Sequence, residues 1–493
     1  MTKTALITGT GLGGLSTGLR LASQGYQVTF VEKNKQPGGR LNQLKQDGFT
    51  FDVGPSFFSM PYEFEALVKD VGINMPFEFV ELDPLYTVNF RGSDKKFVIY
   101  KDLDKLSKQF EGVEPDFKSK MTAYLKKCEQ LYNDTVDVVI KQNFDSLTDY
   151  VKALMQVNPG HLPVLTKSFW KQIRQHFKSK EARQIVSLIA FFLGRTPFDT
   201  NAIYTLLSHI EFTNTGYYNV KGGMYTIVES LVKKLREMGA DFHFNTEIVG
   251  YEGNGEKLIG LKDTNGKLYK ADVFVINADA AAFRGQVFNR SKFSPKKLDK
   301  KSWTMGYLTF YLGINKKLPQ IEHHNYFLGD NYESYAKDVM KNPGTLEKPY
   351  YYVNVLSKHN PDCAPEGNEA LFFVCPVPNL LYKNDWSDKD KIIQSIIDDF
   401  SERTGENISE HIVLKKAYTP EDWQNQFNIY RGAGLGLSHS MMQIGALRPK
   451  NYDEEFKNTF YVGGSTIPGA GLPMVVISSK LAAERVTDYM KNG

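Results

Sequence analysis

Residues 3–32 read KTALITGTGLGGLSTGLRLASQGYQVTFVE, and this stretch decides the fold. Lys3 to Thr8 has the composition of a strand, Leu12, Leu15, Leu19 and Ala22 recur at helical spacing, and Gln27 to Val31 reads as a second strand. The unit is βαβ. Its loop places Gly9, Gly11 and Gly14 in a GxGxxG spacing, with Leu12 and Gly13 inside it. The first glycine permits the tight turn, the second lets backbone approach a pyrophosphate, and the third lets helix and strand pack closely, with phosphate at the helix N-terminus. Alone, that spacing is a weak signal. Here it leaves a strand, opens a helix and is followed, 23 residues after Gly9, by Glu32 with Lys33 beside it. A carboxylate at the end of the second strand accepts hydrogen bonds from ribose hydroxyls. The combination predicts a dinucleotide site.

Working outward, Pro37-Gly38-Gly39-Arg40 offers close backbone approach and an arginine able to pair with phosphate, and Gly54-Pro55-Ser56 offers a second small-residue turn. A nicotinamide domain needs neither, whereas an extended FAD uses both. At the far end of the chain, GGSTIPGAGLP (463–473) directly precedes an apolar helix. Free N–H groups at such a helix start suit the electron-rich edge of a reduced flavin.

The whole chain has 493 residues, 60 Lys+Arg against 56 Asp+Glu, and 41% hydrophobic residues. These are globular proportions, with room for two or three domains. The charge of +4 excludes a field strong enough to make nucleic acid the main partner. Cys128, Cys363 and Cys375 are too scattered for a disulfide framework or a CxxC metal site, so no metal is expected. No apolar run reaches 18 residues and no secretory leader is recognised, so a membrane span is not expected. The 33 Phe and 27 Tyr suit either a large core or a long apolar cavity.

Between about 102 and 210 the chain is helical in character; KGGMYTIVESLVKKLREMGADFHF then restores glycine turn, amphipathic helix and strand, and VFVINADAAA (273–282) reads as a buried strand ending in a turn. Aromatic strands follow: GYLTFYLGI, PYYYVNVL and ALFFVCPV. The expected fold class is therefore α/β. A Rossmann-like FAD-binding domain would be assembled from 1–90, 220–300 and 416–493, and a mixed α+β substrate-binding domain with a helical membrane-facing region from 91–219 and 301–415.

The motifs TGTGLGGLSTGLRLASQGYQVTFVEKNKQPGGR, FDVGPS, YNVKGGM, NADA, GLSHSMMQIGALRPKN and the C-terminal glycine turn together resemble the bacterial-type phytoene desaturases and related carotenoid desaturases, of the GR2-type, FAD-dependent amine-oxidase-like superfamily. The likeness extends over nearly the whole length. It departs at Tyr461, where an aliphatic residue is usual, and at Ile467, where His, Gln or Thr is usual. The resemblance implies non-covalent FAD with Gly9, Gly11, Gly13 and Gly14 at the pyrophosphate, Glu32 at the adenosine ribose, and Gly39 and Arg40 along the diphosphate. Ile248 would present backbone to adenine. Gly54, Pro55 and Ser56 would approach the flavin from one side, and Gly464, Pro473, Met474 and Val475 from the other. Asn277 and Asp279 either join them or cap a turn. The implied substrate is a linear carotenoid, of phytoene or lycopene type or a 1-hydroxylated carotenoid desaturated at the 3,4-position. Carotenoid cis–trans isomerases, flavin amine oxidases and cofactor-free prenyl-lipid-binding proteins share the architecture and stand as alternatives.

An apolar polyene has no handle for acid–base binding, so the protein supplies an apolar tunnel and leaves electron removal to the cofactor. His209 and Glu211 are candidate bases, each with a structural reading beside the catalytic one. The terminal electron acceptor is not readable. Burial from water is worth about 0.8 kcal/mol per CH₂, but the substrate already lies in lipid; docking on the bilayer makes its extraction near neutral. The basic, aromatic segment HLPVLTKSFWKQIRQHFKSK (161–180) is expected to lie at that interface, and IVSLIAFFLG (185–194) to be core or tunnel lining. The expected location is cytoplasmic, attached peripherally to the inner face of the cell membrane.

Overall fold

The computed structural model describes residues 2–492. Its framework is a five-stranded parallel sheet in the order Thr459–Tyr461, Val273–Ile276, Thr4–Thr8, Gln27–Val31 and Asp241–His243. Parallel strands covered on both faces read as continuous apolar runs, as VFVI does. Period two still sorts their side chains. Ala5, Ile7, Val273 and Val275 face the helices Leu12–Ser23, Thr226–Glu237 and Leu472–Asn492; Leu6, Phe274 and Ile276 face a three-stranded antiparallel sheet, Ile248–Asn254, Lys257–Asp263 and Leu268–Lys270. The helix Thr226–Glu237 buries Ile227, Val228, Leu231, Val232 and Leu235, one stripe at helical spacing. Truncating such a residue, as in Leu231→Ala, costs about 2–5 kcal/mol.

A seven-stranded sheet stands beside this layer, in the order Ile412–Tyr418, Gly306–Ile314, Glu369–Val377, Tyr351–Val355, His324–Leu328, Tyr86–Phe90 and Lys96–Ile99. All its pairs are antiparallel except His324–Leu328 with Tyr86–Phe90. Alternation gives it two different faces. Leu308, Phe310, Val353 and Phe373 pack under the helix Lys389–Thr404 through Ile393, Ile396 and Phe400. Tyr307, Thr309, Tyr326, Tyr352, Phe372 and Val374 point the other way and form the wall of a cavity. Because Tyr86–Phe90 and Ile412–Tyr418 belong to this sheet, the boundaries expected at 90 and 416 shift: the pairing partners of these strands lie in the large sheet, not the parallel one.

Opposite that wall lies a helical layer from Leu103 to Asn214, including the long helix Phe117–Thr135. Within the stretch 161–180, Phe169, Trp170, Ile173 and Phe177 belong to the layer's core, and Ser168 caps a short helix by accepting from the N–H of Lys171. The start of the stretch is exposed at Leu162, and further exposed apolar side chains are Leu147, Val151, Leu154 and Met155 on the helix Leu147–Gln156, with Met441, Met442 and Leu447. Among the described residues, no helix is long and apolar enough to cross a membrane.

Candidate functional site

One continuous cavity of about 1280 Å³ joins the glycine loop, the C-terminal turn, the tyrosine wall of the large sheet and the exposed apolar rim. It exceeds the roughly 300–1,000 Å³ of a site for one drug-sized ligand, so it has room for a dinucleotide and a long apolar chain together. At its nucleotide end the helix Leu12–Ser23 begins at Gly11 with no side chain capping its free N–H groups. Those donors, with the positive end of the helix dipole, suit a pyrophosphate. Gly9, Gly11, Leu12 and Gly13 line the cavity. Gly14 does not. A Cβ there would lie 2.5 Å from the Gly9 carbonyl oxygen and 2.8 Å from Asn277 Nδ2, so Gly14 is required for packing and its expected place at the pyrophosphate is corrected. Gly9, at φ +83°, has the conformation that makes the turn possible.

Glu32 is buried, and its carboxylate first serves the loop. Oε2 accepts from Thr10 N at 2.8 Å and Thr10 Oγ1 at 2.7 Å, and Oε1 accepts from Asn34 N at 2.8 Å. A carboxylate has about four lone-pair sites, so Oε1 keeps one for a ribose hydroxyl. Lys33 also lines the cavity, with its ammonium donating to Asn428 Oδ1 at 2.7 Å and to the Asn425 carbonyl at 2.9 Å. Gly39 and Ile248 line the same end. The Arg40 guanidinium donates to the Gly434 carbonyl at 3.0 Å and retains further donors; burial pulls its pKa down while Asp279 opposes the shift.

Asn277 and Asp279 both line the cavity, and the structure gives each a local task. Asn277 Nδ2 donates to the carbonyls of Gly9 and Gly11, holding the loop, and Asp279 Oδ1 caps the helix Ala280–Gln286 through the N–H groups of Ala281 and Ala282. Gly54, Pro55 and Ser56 approach from one side and Gly464, Pro473, Met474 and Val475 from the other. The first turn is held by Asp52, whose carboxylate accepts from Met224 N at 2.8 Å and Tyr225 N at 3.1 Å. Asp52 thereby ties FDVGPS to KGGM.

The C-terminal turn is held by a residue that sequence reasoning did not single out. Buried Arg448 donates to the carbonyls of Gly464 at 2.7 Å, Thr466 at 2.9 Å and Leu437 at 3.0 Å. Burial lowers its pKa to about 10, against the opposing influence of Tyr204 and Asp279. Beside it, His439 Nε2 accepts from Ala470 N at 3.3 Å, and its Nδ1 has no partner. The three cysteines are buried and unpaired, and none of them lines the cavity. Ile467, the departure from the family pattern, packs with Ile477 and Leu481. Tyr461 donates to Asp453 Oδ2 at 2.6 Å, which satisfies its hydroxyl where an aliphatic residue would need nothing.

Beyond the nucleotide end the walls are apolar: Leu188, Ile189, Phe191, Phe192 and Leu193 from the stretch 185–194, with Leu207 and Ile210. The two candidate bases part here. His209 lies outside the lining; its Nδ1 is paired with Thr213 Oγ1 at 2.7 Å and its ring packs on Tyr132, the structural alternative. Glu211 reaches the cavity, fully buried, and burial pushes its carboxyl up to about 8, opposed by the nearby hydroxyls of Tyr86 and Tyr217.

Taken together, the uncapped helix start, the loop closed to any Cβ, the ribose-facing carboxylate and the second helix start across the same cavity fit an FAD. The comparisons with known proteins agree. Residues 12–487 match the family described as flavin containing amine oxidoreductase. The chain is 32% identical to a zeta-carotene-forming phytoene desaturase of Myxococcus xanthus, over 98% of this chain and 94% of that one, and 28% identical to a carotenoid 3,4-desaturase of Haloarcula japonica, over 98% and 97%. Among solved structures, a putrescine oxidase redesigned in its cofactor binding aligns over 100% of both chains with a TM-score of 0.66 at 12% identity, which speaks for the fold alone. The chain belongs to the flavin-containing amine oxidoreductase family, with the phytoene and carotenoid desaturases, and is an FAD-dependent oxidoreductase.

Proposed function

We propose that this protein desaturates a linear carotenoid drawn from a membrane surface. The observation that carries the reading is the continuity of the cavity: from the nucleotide end it runs between apolar walls to a rim formed by Val151, Leu154, Met155, Leu162 and Met441. The walls of that path are mainly apolar, which suits a polyene passing from lipid to the interior without meeting water. In this reading the Rossmann-like layer holds FAD through Gly9, Gly11, Gly13, Glu32, Gly39 and Arg40, and Gly54–Ser56 and Gly464 with Pro473–Val475 flank its ring.

When bound, FAD supplies the two-electron acceptor for the hydrogens removed. The chain itself does three other things. The walls exclude water, which strengthens every electrostatic contact inside. Phe57, Phe192 and Tyr352 pack together as an aromatic wall against which a flat chain can lie; the Phe57 ring is 4.5 Å from Phe192 and 5.2 Å from Tyr352. A hydrogen-bonded row, Tyr352 Oη with Ser56 Oγ at 2.9 Å and with His324 Nδ1 at 2.6 Å, fixes the polar edge beside Ser56.

The exposed rim docks on lipid, with only the start of the 161–180 segment, at Leu162, taking part. The helix Leu147–Gln156 and the 441–447 turn meet through Tyr150 and Ala446, so their apolar side chains present one surface. Sinking them into the headgroup boundary places the mouth within reach of the acyl chains.

The test is anaerobic incubation of the purified holoprotein with carotene-loaded liposomes. Bleaching of the flavin absorbance together with a product of longer conjugation is expected. Unchanged flavin with all carotenes, but bleaching by soluble amines, would replace this reading with amine oxidation; a geometric isomer without net oxidation would replace it with isomerisation.

A further inference from the structure

Where the cavity passes between the helical layer and the large sheet, its mainly apolar walls carry a cluster of polar groups built around one carboxyl. Glu211, 1% exposed, carries an Oε2 without a well-formed hydrogen bond, and the hydroxyls of Tyr86, Tyr217 and Tyr326 have none either, although those of Tyr86 and Tyr217 lie close enough to favour the carboxylate. The cluster is tightly built. The Tyr86 ring is 5.3 Å from Tyr326 and 6.4 Å from Tyr217, and Phe57 packs against Tyr217 at 4.8 Å. Glu211, Tyr217 and Tyr326 line the cavity and Tyr86 stands behind them. No cation faces the carboxyl: its neighbours are phenols, so it is held as the neutral acid, able both to donate and to accept.

Buried polar groups are nearly always paired, and leaving one unpaired costs about 1–3 kcal/mol. A bare hydrocarbon filling this space offers the lining groups Glu211, Tyr217 and Tyr326 no polar partner, whereas a hydroxyl oxygen accepts from two donors while giving its proton to the carboxyl. Resting on the desaturase reading above, we propose that Glu211, with Tyr217 and Tyr326, is a specificity-determining end stop that binds a hydroxyl group at one terminus of the polyene. The stop also sets the position of reaction. Phe57 touches the cluster and directly follows the Gly54–Ser56 turn, so a chain anchored at Glu211 offers the bonds near its oxygenated end and trails its hydrocarbon end toward the rim.

The experiment compares an acyclic carotene with the same carotene bearing one terminal hydroxyl, each in neutral liposomes, against the holoprotein and its variants Glu211→Gln, Glu211→Leu and Tyr326→Phe. Anaerobic binding is read from the shift of the polyene absorbance, and turnover from the position of the new double bond. The wild type is expected to bind the hydroxylated chain about tenfold more tightly and to oxidise it next to that end. Glu211→Gln, still a donor and acceptor, keeps the preference; Glu211→Leu equalises the two chains and scatters the position; Tyr326→Phe, which keeps its ring and serves should Glu211→Leu fail to fold, reduces the preference severalfold. Equal binding of both chains by the wild type, or a preference unchanged in Glu211→Leu and Tyr326→Phe, overturns the proposal and leaves the cluster to ordered water. Loss of all turnover in Glu211→Gln also overturns it, in favour of a catalytic base. Failure of the wild type to bind either chain removes the desaturase reading itself, a result distinct from equal binding.

Discussion

Asp52 and Glu211 are buried carboxyls without counter-ions, and they make stability depend on pH in an unusual direction. Burial pushes Asp52 up to about 6, although two backbone N–H groups pull it back, and pushes Glu211 up to about 8. An unfolded chain titrates these groups near 4. The folded state therefore binds their protons more tightly, so their contribution is complete below about pH 4 and is lost as pH rises through 6 for Asp52 and through 8 for Glu211. Melting temperature measured from pH 5 to 9 is expected to fall for the wild type and to fall less steeply for Glu211→Gln, which has no proton to lose. Parallel curves would show that Glu211 is already ionised or solvated. A second residue-scale expectation concerns Gly14, which lies outside the cavity lining. Because a Cβ there meets the Gly9 carbonyl, Gly14→Ala forces the loop apart, costs about 1–3 kcal/mol as overpacking does, and releases flavin during gel filtration.

Elements differ in how openly their sequences declare them. The helix Thr226–Glu237 is legible because its stripe of Ile, Val and Leu and its charged face have one packing solution. The segment 161–180 is not, because a basic face beside an aromatic one describes a core helix and an interfacial helix equally well; only the burial of Phe169, Trp170, Ile173 and Phe177 separates them. The helix Leu147–Gln156 gave no comparable signal, being short and ordinary in composition, yet it leaves Met155 80% exposed, beside Leu162 at 60%. If this rim meets lipid, Met155→Asp combined with Leu162→Asp places two charges at the headgroup boundary and should reduce co-flotation with anionic liposomes severalfold, with flavin content unchanged. Undiminished flotation would move the docking surface elsewhere.

At the scale of the molecule, the legible part of the site is the part governed by local backbone geometry. The glycine loop, GGR, GPS and the C-terminal turn each announce a conformation that other residues resist, and all four line one cavity. Arg448 and the cluster of Glu211, Tyr86, Tyr217 and Tyr326 were hidden because their meaning lies in contacts between segments far apart in sequence, which spacing cannot show. The same long-range construction has a thermodynamic consequence. The parallel sheet places the strand Thr459–Tyr461 next to Val273–Ile276 and so one strand removed from Thr4–Thr8, while the helices Leu12–Ser23 and Leu472–Asn492 pack together. A ligand held at both helix starts therefore ties the two ends of the polypeptide, and it stabilises only the state in which they are assembled. Binding at a hundred times Kd adds about 2.7 kcal/mol. Protein stripped of flavin is expected to melt several degrees lower and to become cleavable near both ends at lower protease concentration, and added FAD should restore both properties. NAD, which lacks the flavin ring that the proposed reading sets beside Gly464 and Pro473, should restore neither; recovery with NAD to the same extent would mean that only the amino-terminal loop grips the nucleotide.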